Sequence, residues 1–179
     1  AWQGIAVSLS ADGNTAIIGG SQDAGGSGAA WVYTRTDTVW TQQGSKLFGT
    51  DNAGLPYQGA SVSLSSDGLM AIVGGPGDSS NTGAAWVFAR VGRFWTQQGS
   101  KLVGTGAAAG NPQQGWSVAL SGDGATALVG GYNDGFGAGA AWVFASTATG
   151  VRQPELRPIG FGLSENYPNP FNPSTTISY

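Results

Sequence analysis

The sequence predicts an all-β fold of four-stranded antiparallel sheets, and three observations support this. First, the chain repeats itself: residues 4–13 return as 59–68 and 115–124, and residues 28–33 return as 83–88 and 139–144, at offsets of 55 and 56. Second, apolar and small residues alternate within each copy with the two-residue period of a strand. Third, 32 glycines and 8 prolines provide turns between short strands, while only 9% of the residues are charged.

Each repeat contains four strand-like segments, which the first repeat illustrates. Residues 5–9 alternate as a first strand, and Asp12-Gly13 then turns the chain into the short apolar run 15–18. A glycine-rich loop precedes the third segment, 29–33, and residues 40–47 form the fourth. This fourth segment recurs unchanged at 95–102 but has no third copy, so we expect the third repeat to lack its fourth strand.

Four-stranded units at a period near 50 residues are typical of a β-propeller, in which each sheet is a blade packed on its neighbours. The predicted blades are residues 1–58, 59–114 and 115–147, with Trp31, Trp86 and Trp142 filling the gaps between them. Three blades form an incomplete ring, because propellers use roughly 4 to 8. The chain also begins with Ala1 and no signal-peptide pattern. We therefore expect a piece of a longer protein, the alternative being a head-to-tail assembly of several copies.

The repeats resemble the FG-GAP repeats of integrin-α-like β-propellers over about residues 1 to 147. The similarity lies in Gly-x-Ser-Val-x-Leu at 59–64 and 115–120, in the apolar strand that runs into residues 74–78, and in the segment 83–88. This chain departs from the family in having Gln-Gly where the family has Phe-Gly, at 3–4, 58–59 and 114–115. The resemblance implies propeller blades.

The composition changes after Ser146, and five of the eight prolines lie beyond it. Residues 148–162 are predicted to be an extended linker, because proline disfavours helix in the residue before it. Residues 163–179 resemble the start of the C-terminal sorting domain of the bacterial type IX secretion system. This resemblance implies export across the outer membrane to the medium or the cell surface, with the secretion machinery as a partner. The alternative is a linker entering another small β domain. The residues that carry the resemblance are Asn166, Tyr167, Pro168, Asn169, Pro170, Phe171, Asn172 and Pro173.

The residues that the chain lacks exclude several kinds of chemistry. Without His or Cys there is no Ser-His-Asp triad, no thiolate nucleophile and no His/Cys zinc site. The net charge of -3 argues against a nucleic-acid partner, which requires a cationic face. No apolar run approaches the roughly 20 residues of a membrane span.

The connections between strands 2 and 3, and between one repeat and the next, emerge at the same end of a four-stranded meander. They are long and variable, so we expect the binding face at this end, since loops on a rigid scaffold often carry function. The alternative is that they are solvated linkers. The candidate binding residues are Asp23, Asp78, Asp134, Tyr57, Tyr132 and Phe136.

Two sets of aspartates occupy equivalent positions in the three repeats. Asp12, Asp67 and Asp123 each precede a glycine in a tight connection, where a carboxylate accepts backbone hydrogen bonds. Asp23, Asp78 and Asp134 either cap turns or contribute to a carbonyl-rich calcium site, and the sequence suggests no other cofactor.

These features predict a non-enzymatic binding or adhesion module that recognises protein or glycan through loops at one end of a propeller. The first alternative is a structural spacer without a ligand. The second is a sialidase-like glycoside hydrolase, because Ser-x-Asp-Gly-x-Thr is similar to the Asp-box of sialidases. That motif departs here by one residue between Asp and Gly and by the missing Trp, and a hydrolase also needs paired carboxylates flanking a bond.

Overall fold

Twelve strands form three antiparallel sheets that follow one another along the chain. A computed structural model describes residues 1–146 and 161–163. Sheet 1 contains β1 (Ala6–Leu9), β2 (Thr15–Gly20), β3 (Ala29–Thr36) and β4 (Val39–Gln42). Sheet 2 contains β5 (Ser61–Leu64), β6 (Met70–Gly75), β7 (Ala84–Val91) and β8 (Phe94–Gln97). Sheet 3 contains β9 (Ser117–Leu120), β10 (Thr126–Gly131), β11 (Ala140–Ser146) and β12 (Phe161–Leu163). The prediction of an all-β fold with four-stranded antiparallel sheets is confirmed, and the described residues form no closed ring.

The strand register repeats from sheet to sheet together with the sequence. Ile18 pairs with Trp31 in sheet 1, Val73 with Trp86 in sheet 2, and Val129 with Trp142 in sheet 3. The sequence repeat is therefore also a structural repeat, with equivalent side chains on equivalent faces. Short turns at Asp23–Gly26 and Asp78–Asn81 lie between the second and third strands of sheets 1 and 2. No helix among the described residues has the length and apolar character needed to cross a membrane.

Sheet 3 has a fourth strand, so the expectation that the third repeat lacks one is wrong. The strand β12 lies antiparallel to β11, with Leu163 opposite Phe144 and Phe161 opposite Ser146. Its sequence, Phe-Gly-Leu, is unrelated to the Trp-Thr-Gln-Gln of the first two repeats. An unrelated sequence can occupy the fourth position because strands pair through backbone hydrogen bonds, so an open strand edge accepts any extended segment. The last two residues of the predicted linker thus belong to the sheet, while its other residues and Asn166–Pro173 lie outside the described residues.

The sheets pack face to face through two apolar clusters. In the first, Ile17 and Val32 of sheet 1 meet Leu64, Val73 and Trp86 of sheet 2. In the second, the equivalent residues of sheet 2, Ile72 and Val87, meet Val129 and Trp142 of sheet 3. Both tryptophans are fully buried, and their indole N–H groups donate to the carbonyl oxygens of Thr50 (2.8 Å) and Thr105 (2.9 Å). The prediction that these two rings fill the gaps between sheets is confirmed.

Glycine permits the closest approach between the sheets. A methyl group on Gly19 would overlap the carbonyl oxygen of Gly59 in the next sheet, and one on Gly74 would overlap the carbonyl oxygen of Gly115. A side chain at either position would therefore force the backbones of neighbouring sheets apart.

Candidate binding rim

In sheets 1 and 2, the connection between strands 2 and 3 meets the segment that leads to the next sheet. The amide of Tyr57 donates to the carbonyl of Gly26 (2.9 Å), and the amide of Gln113 donates to the carbonyl of Asn81 (3.0 Å). We call this end of the three sheets the rim. It comprises residues 21–28, 76–83 and 132–139 together with residues 48–60 and 104–116.

Two buried glutamines hold the segments between sheets in place. The side chain of Gln58 accepts a hydrogen bond from the amide of Gly49 (2.6 Å) and donates to the carbonyl of the same residue (2.9 Å). Gln114 makes the same pair of bonds with Gly104. Both glutamines are fully buried, and each closes its segment into a compact loop. The sequence signal was the Gln-Gly dipeptide present in all three repeats, whose structural role sequence reasoning missed.

The tips of the three strand 2–3 connections share an unusual backbone conformation. Ala24, Ser79, Ser80 and Phe136 all have positive φ, between 48° and 59°. Such values are uncommon for residues other than glycine, and they persist only where the surrounding structure fixes them. The tips are therefore turns with a fixed backbone conformation, which sets the direction of their side chains.

Asp23 and Asp78 each form an ion pair with a lysine from the segment after the fourth strand. Asp23 pairs with Lys46 at the surface. Asp78 is fully buried: one carboxylate oxygen accepts from the amide of Ala53 (2.7 Å), and the other accepts from Lys101 Nζ (2.6 Å) and Ser79 Oγ (2.9 Å). These two aspartates tie the strand 2–3 connection to neighbouring loops, which is a structural role.

Asp134 occupies the same position in sheet 3 without a lysine. One of its carboxylate oxygens accepts from the amide of Ala108 (2.8 Å), as its counterpart in Asp78 does from Ala53. Its Oδ2 is buried and has no hydrogen-bond partner among the described residues. Asp134 lacks a lysine partner because the segment that contains Lys46 in the first repeat and Lys101 in the second has no copy in the third repeat.

The structure gives no geometric support for a calcium site at Asp23, Asp78 and Asp134. The three residues lie in separate sheets, and no group of three or more acidic, His or Cys side chains in the described part of the chain is arranged to hold a metal. For Asp23 and Asp78, a lysine supplies the positive charge instead.

Three further aspartates, Asp12, Asp67 and Asp123, cap the turns at the opposite end of the sheets. Asp12 accepts from Ser10 Oγ (2.5 Å) and from the amide of Asn14 (2.9 Å), and Asp67 and Asp123 make equivalent bonds. The hydrogen bond from Ser10, followed by that from the Asn14 backbone, lowers the pKa of the Asp12 carboxyl below its usual 3.8. The turn role predicted for these residues is confirmed.

The predicted aromatic residues differ in their accessibility. The ring of Tyr57 is half-buried and lies against Gly26 and Gly77, so it separates two neighbouring connections. Tyr132 is 52% exposed and Phe136 is 84% exposed. Tyr132 lies against Trp116, a residue that sequence reasoning did not select, with ring centroids 4.6 Å apart and planes inclined by 58°. Three exposed aromatic rings of this end of the molecule, Trp116, Tyr132 and Phe136, therefore lie at sheet 3, while Trp2 at the same end of sheet 1 is 68% exposed.

A cavity of about 320 Å³ lies between the segment after β4 and the strand β8, and it borders the rim only at Phe48 and Thr50. Its lining includes Phe48, Phe88, Trp95 and Phe94, together with the cationic side chain of Arg93. Sequence reasoning did not find it, because its walls come from two repeats that meet only in the folded chain.

Comparisons with known proteins assign the chain to no family. No family model matches the chain, and no curated protein matches it. Among solved structures, the chain is similar to the crystal structure of TolB from Acinetobacter baumannii, with a TM-score of 0.44 and 12% identity. That match covers 81% of this chain and 30% of the TolB chain.

Proposed function

We propose that the chain is an exported, non-enzymatic binding module with β-propeller blades, which recognises a protein or a glycan through its rim. The observation that carries this proposal is the exposed aromatic surface of sheet 3 at the rim. Phe136 is held at φ 59° at the tip of a turn, and its ring is almost wholly exposed. The equivalent positions in sheets 1 and 2 are Gly25 and Ser80, so the turn itself does not require an aromatic ring.

An exposed aromatic residue on a rigid turn suits recognition. A fixed ring offers a large apolar surface at little loss of conformational entropy on binding. The nearby pair of Trp116 and Tyr132 adds a second platform. Ring faces of this kind contact the apolar faces of sugars or the aliphatic and aromatic side chains of a protein.

The binding proposal is tested with a glycan array and a panel of purified surface proteins, comparing the wild-type chain with Phe136→Ala. We expect at least one ligand, and at least a tenfold loss of affinity in the variant, because truncating an aromatic anchor often removes 2 kcal/mol or more, roughly thirtyfold. Phe94→Ala is the matched control, because Phe94 is similarly exposed but borders the cavity. Loss of binding in Phe94→Ala alone would overturn the rim proposal and assign recognition to the cavity.

A spacer without a ligand is the second candidate, and one observation favours it. Most polar side chains of the rim are occupied internally: Asp23 and Asp78 by lysines, and Gln58 and Gln114 by backbone groups. Absence of binding across both panels, with a folded chain, would support the spacer.

Export through the type IX system rests on Asn166–Pro173, which lie outside the described residues. We expect the protein to disappear from the medium and cell surface of a producing strain that lacks the type IX machinery. Unchanged export in that strain would contradict this part of the proposal.

A further inference from the structure

Sheet 1 and sheet 3 each expose an apolar face. The equivalent faces of sheet 2 are buried against its neighbouring sheets. We define the leading face of a sheet as the side turned toward the preceding sheet, and the trailing face as the side turned toward the following one. On the leading face of sheet 1, Val7 is 69% exposed and Leu9 is 60% exposed. Their equivalents in sheet 2, Val62 and Leu64, are buried against sheet 1.

The trailing face of sheet 3 is uncovered in the same way. Leu128 is 41% exposed there, while the equivalent Ile17 and Ile72 are fully buried under the next sheet. Val143 is half-buried, whereas Val32 and Val87 are buried.

The two uncovered faces carry the same apolar residue types that pack together twice within the chain. The leading face of sheet 1 presents Val7, Leu9, Ile18, Trp31 and Tyr33, where sheet 2 presents Val62, Leu64, Val73, Trp86 and Phe88. The trailing face of sheet 3 presents Leu128, Ala141 and Val143, where sheet 2 presents Ile72, Ala85 and Val87. The leading face of sheet 1 and the trailing face of sheet 3 therefore resemble the two sides of the contacts that already join neighbouring sheets within the chain.

We propose that the leading face of sheet 1 docks on the trailing face of sheet 3 of a second copy of this chain. The argument is continuity with an interface already formed twice. The contact would be heterologous, because it joins two different surfaces. Two copies joined by two such contacts give a ring of six sheets, within the roughly 4 to 8 that propellers use.

Glycines at the uncovered faces leave room for this pairing. Inside the chain, a methyl group on Gly59 or Gly115 would overlap a carbonyl oxygen of the preceding sheet. Gly4 is their equivalent in sheet 1, and nothing lies within 4 Å of a methyl group placed on it. On the opposite face, Gly130 is the equivalent of Gly19 and Gly74, which receive those close approaches. Gly130, whose φ is not left-handed, thus keeps on the trailing face the small residue that a close sheet-to-sheet approach requires, whereas the φ of 99° at Gly4 favours glycine by itself.

One position of the trailing face differs from its internal counterparts. Ser8 Oγ accepts the amide of Leu64, and Ser63 Oγ accepts the amide of Leu120, each at 3.2 Å between sheets. The equivalent residue of sheet 3 is Ala119, which cannot accept such a bond from Leu9 of a second copy. The contact between copies is therefore expected to be weaker than the two internal ones.

The test measures the mass of the 179-residue chain by light scattering and sedimentation from 1 to 100 µM. We expect a species of twice the 18.0 kDa chain mass. Val7→Glu and Leu128→Glu should each give monomers, because each places a charge in the contact. Val91→Glu is the control, since Val91 is 70% exposed at the end of β7, away from both faces, and this variant should remain dimeric.

Mixing the two monomeric variants identifies the geometry. The mixture keeps one intact contact, between sheet 3 of Val7→Glu and sheet 1 of Leu128→Glu, so dimers should return. If two copies instead met symmetrically through sheet 1, Val7→Glu would be monomeric while Leu128→Glu stayed dimeric. This result would overturn the proposal. A wild-type monomer at 100 µM would overturn it as well. Filaments whose mass rises steadily with concentration would support the docking but contradict the closed ring.

Ala119→Ser gives an independent test that strengthens the contact. Restoring the hydroxyl acceptor should tighten dimer association by roughly five- to hundredfold, because the closed ring contains two contacts and each gains one hydrogen bond. An unchanged dissociation constant would mean that Leu9 of a second copy does not reach this position.

Discussion

Three equivalent aspartates at the rim occupy different environments, and this determines how each one affects stability. Asp78 and Lys101 form a largely buried ion pair in which both partners have several bonds. The pair of Asp23 and Lys46 lies at the surface. A buried pair is sensitive to the removal of one partner, whereas an exposed pair contributes little.

We therefore expect Asp78→Asn to lower the free energy of unfolding by about 2–3 kcal/mol, because it leaves the Lys101 ammonium largely buried without a counter-charge. Urea denaturation monitored by tryptophan fluorescence measures this change. The matched control is Asp23→Asn, for which the expected loss is below about 1 kcal/mol. Equal losses in the two variants would show that burial does not distinguish the pairs.

Asp12 gives a pH-dependent prediction. Hydrogen bonds from Ser10 and then from the Asn14 backbone lower the pKa of its carboxyl in the folded chain below 3.8. Its contribution to stability is therefore fully present above the unfolded pKa and is lost as the pH falls through the folded pKa. We expect NMR titration of the Asp12 carboxyl to give a midpoint below 3.8, and Ser10→Ala to raise it. Ser45→Ala, a distant control, should leave the midpoint unchanged.

At the scale of the strands, the sequence predicted most of the architecture. The alternation in residues 5–9 and the Asp-Gly turn located β1 and β2, because burial of one face and turn geometry act over a few residues. The strand β12 could not be predicted, since its pairing depends on an open edge of β11 and not on its own composition. The rim topology followed from strand order, but the roles of Gln58 and Lys101 depend on side-chain contacts with residues 9 and 23 positions away in the same repeat, which the alternating strand pattern does not show.

The repeated tryptophans allow a comparison of equivalent positions in two sheets. Trp86 is fully buried between sheets and its indole N–H bonds to the carbonyl of Thr50, whereas Trp31 is half-buried on the leading face of sheet 1. We expect Trp86→Ala to lower the free energy of unfolding by about 3–5 kcal/mol, through lost burial and an unfilled cavity. Trp31→Ala should lower it clearly less under monomeric conditions. Urea denaturation of both variants at low micromolar concentration gives the comparison.

At the scale of the whole molecule, the distance between sheets is set where backbones meet at glycine. Gly74 and Gly130 are equivalent, but only Gly74 faces a following sheet within the described chain, at the carbonyl of Gly115. An added methyl group at Gly130 meets the hydroxyl of Ser117, an exposed side chain that is free to rotate. The same substitution therefore has different consequences at two positions of one repeat.

We expect Gly74→Ala to lower the free energy of unfolding by about 2–3 kcal/mol, because the new methyl group must push sheet 3 away from sheet 2. Gly130→Ala should change the stability of the monomer by less than about 1 kcal/mol, since only a side chain has to move. If a second copy docks on sheet 3, however, the methyl group at Gly130 occupies the place of the approaching Gly4 backbone, and the dimer should be lost. Urea denaturation of dilute chains and sedimentation of concentrated ones separate the two effects. A fully dimeric Gly130→Ala would show that the sheets of two copies do not approach as closely as those within one chain.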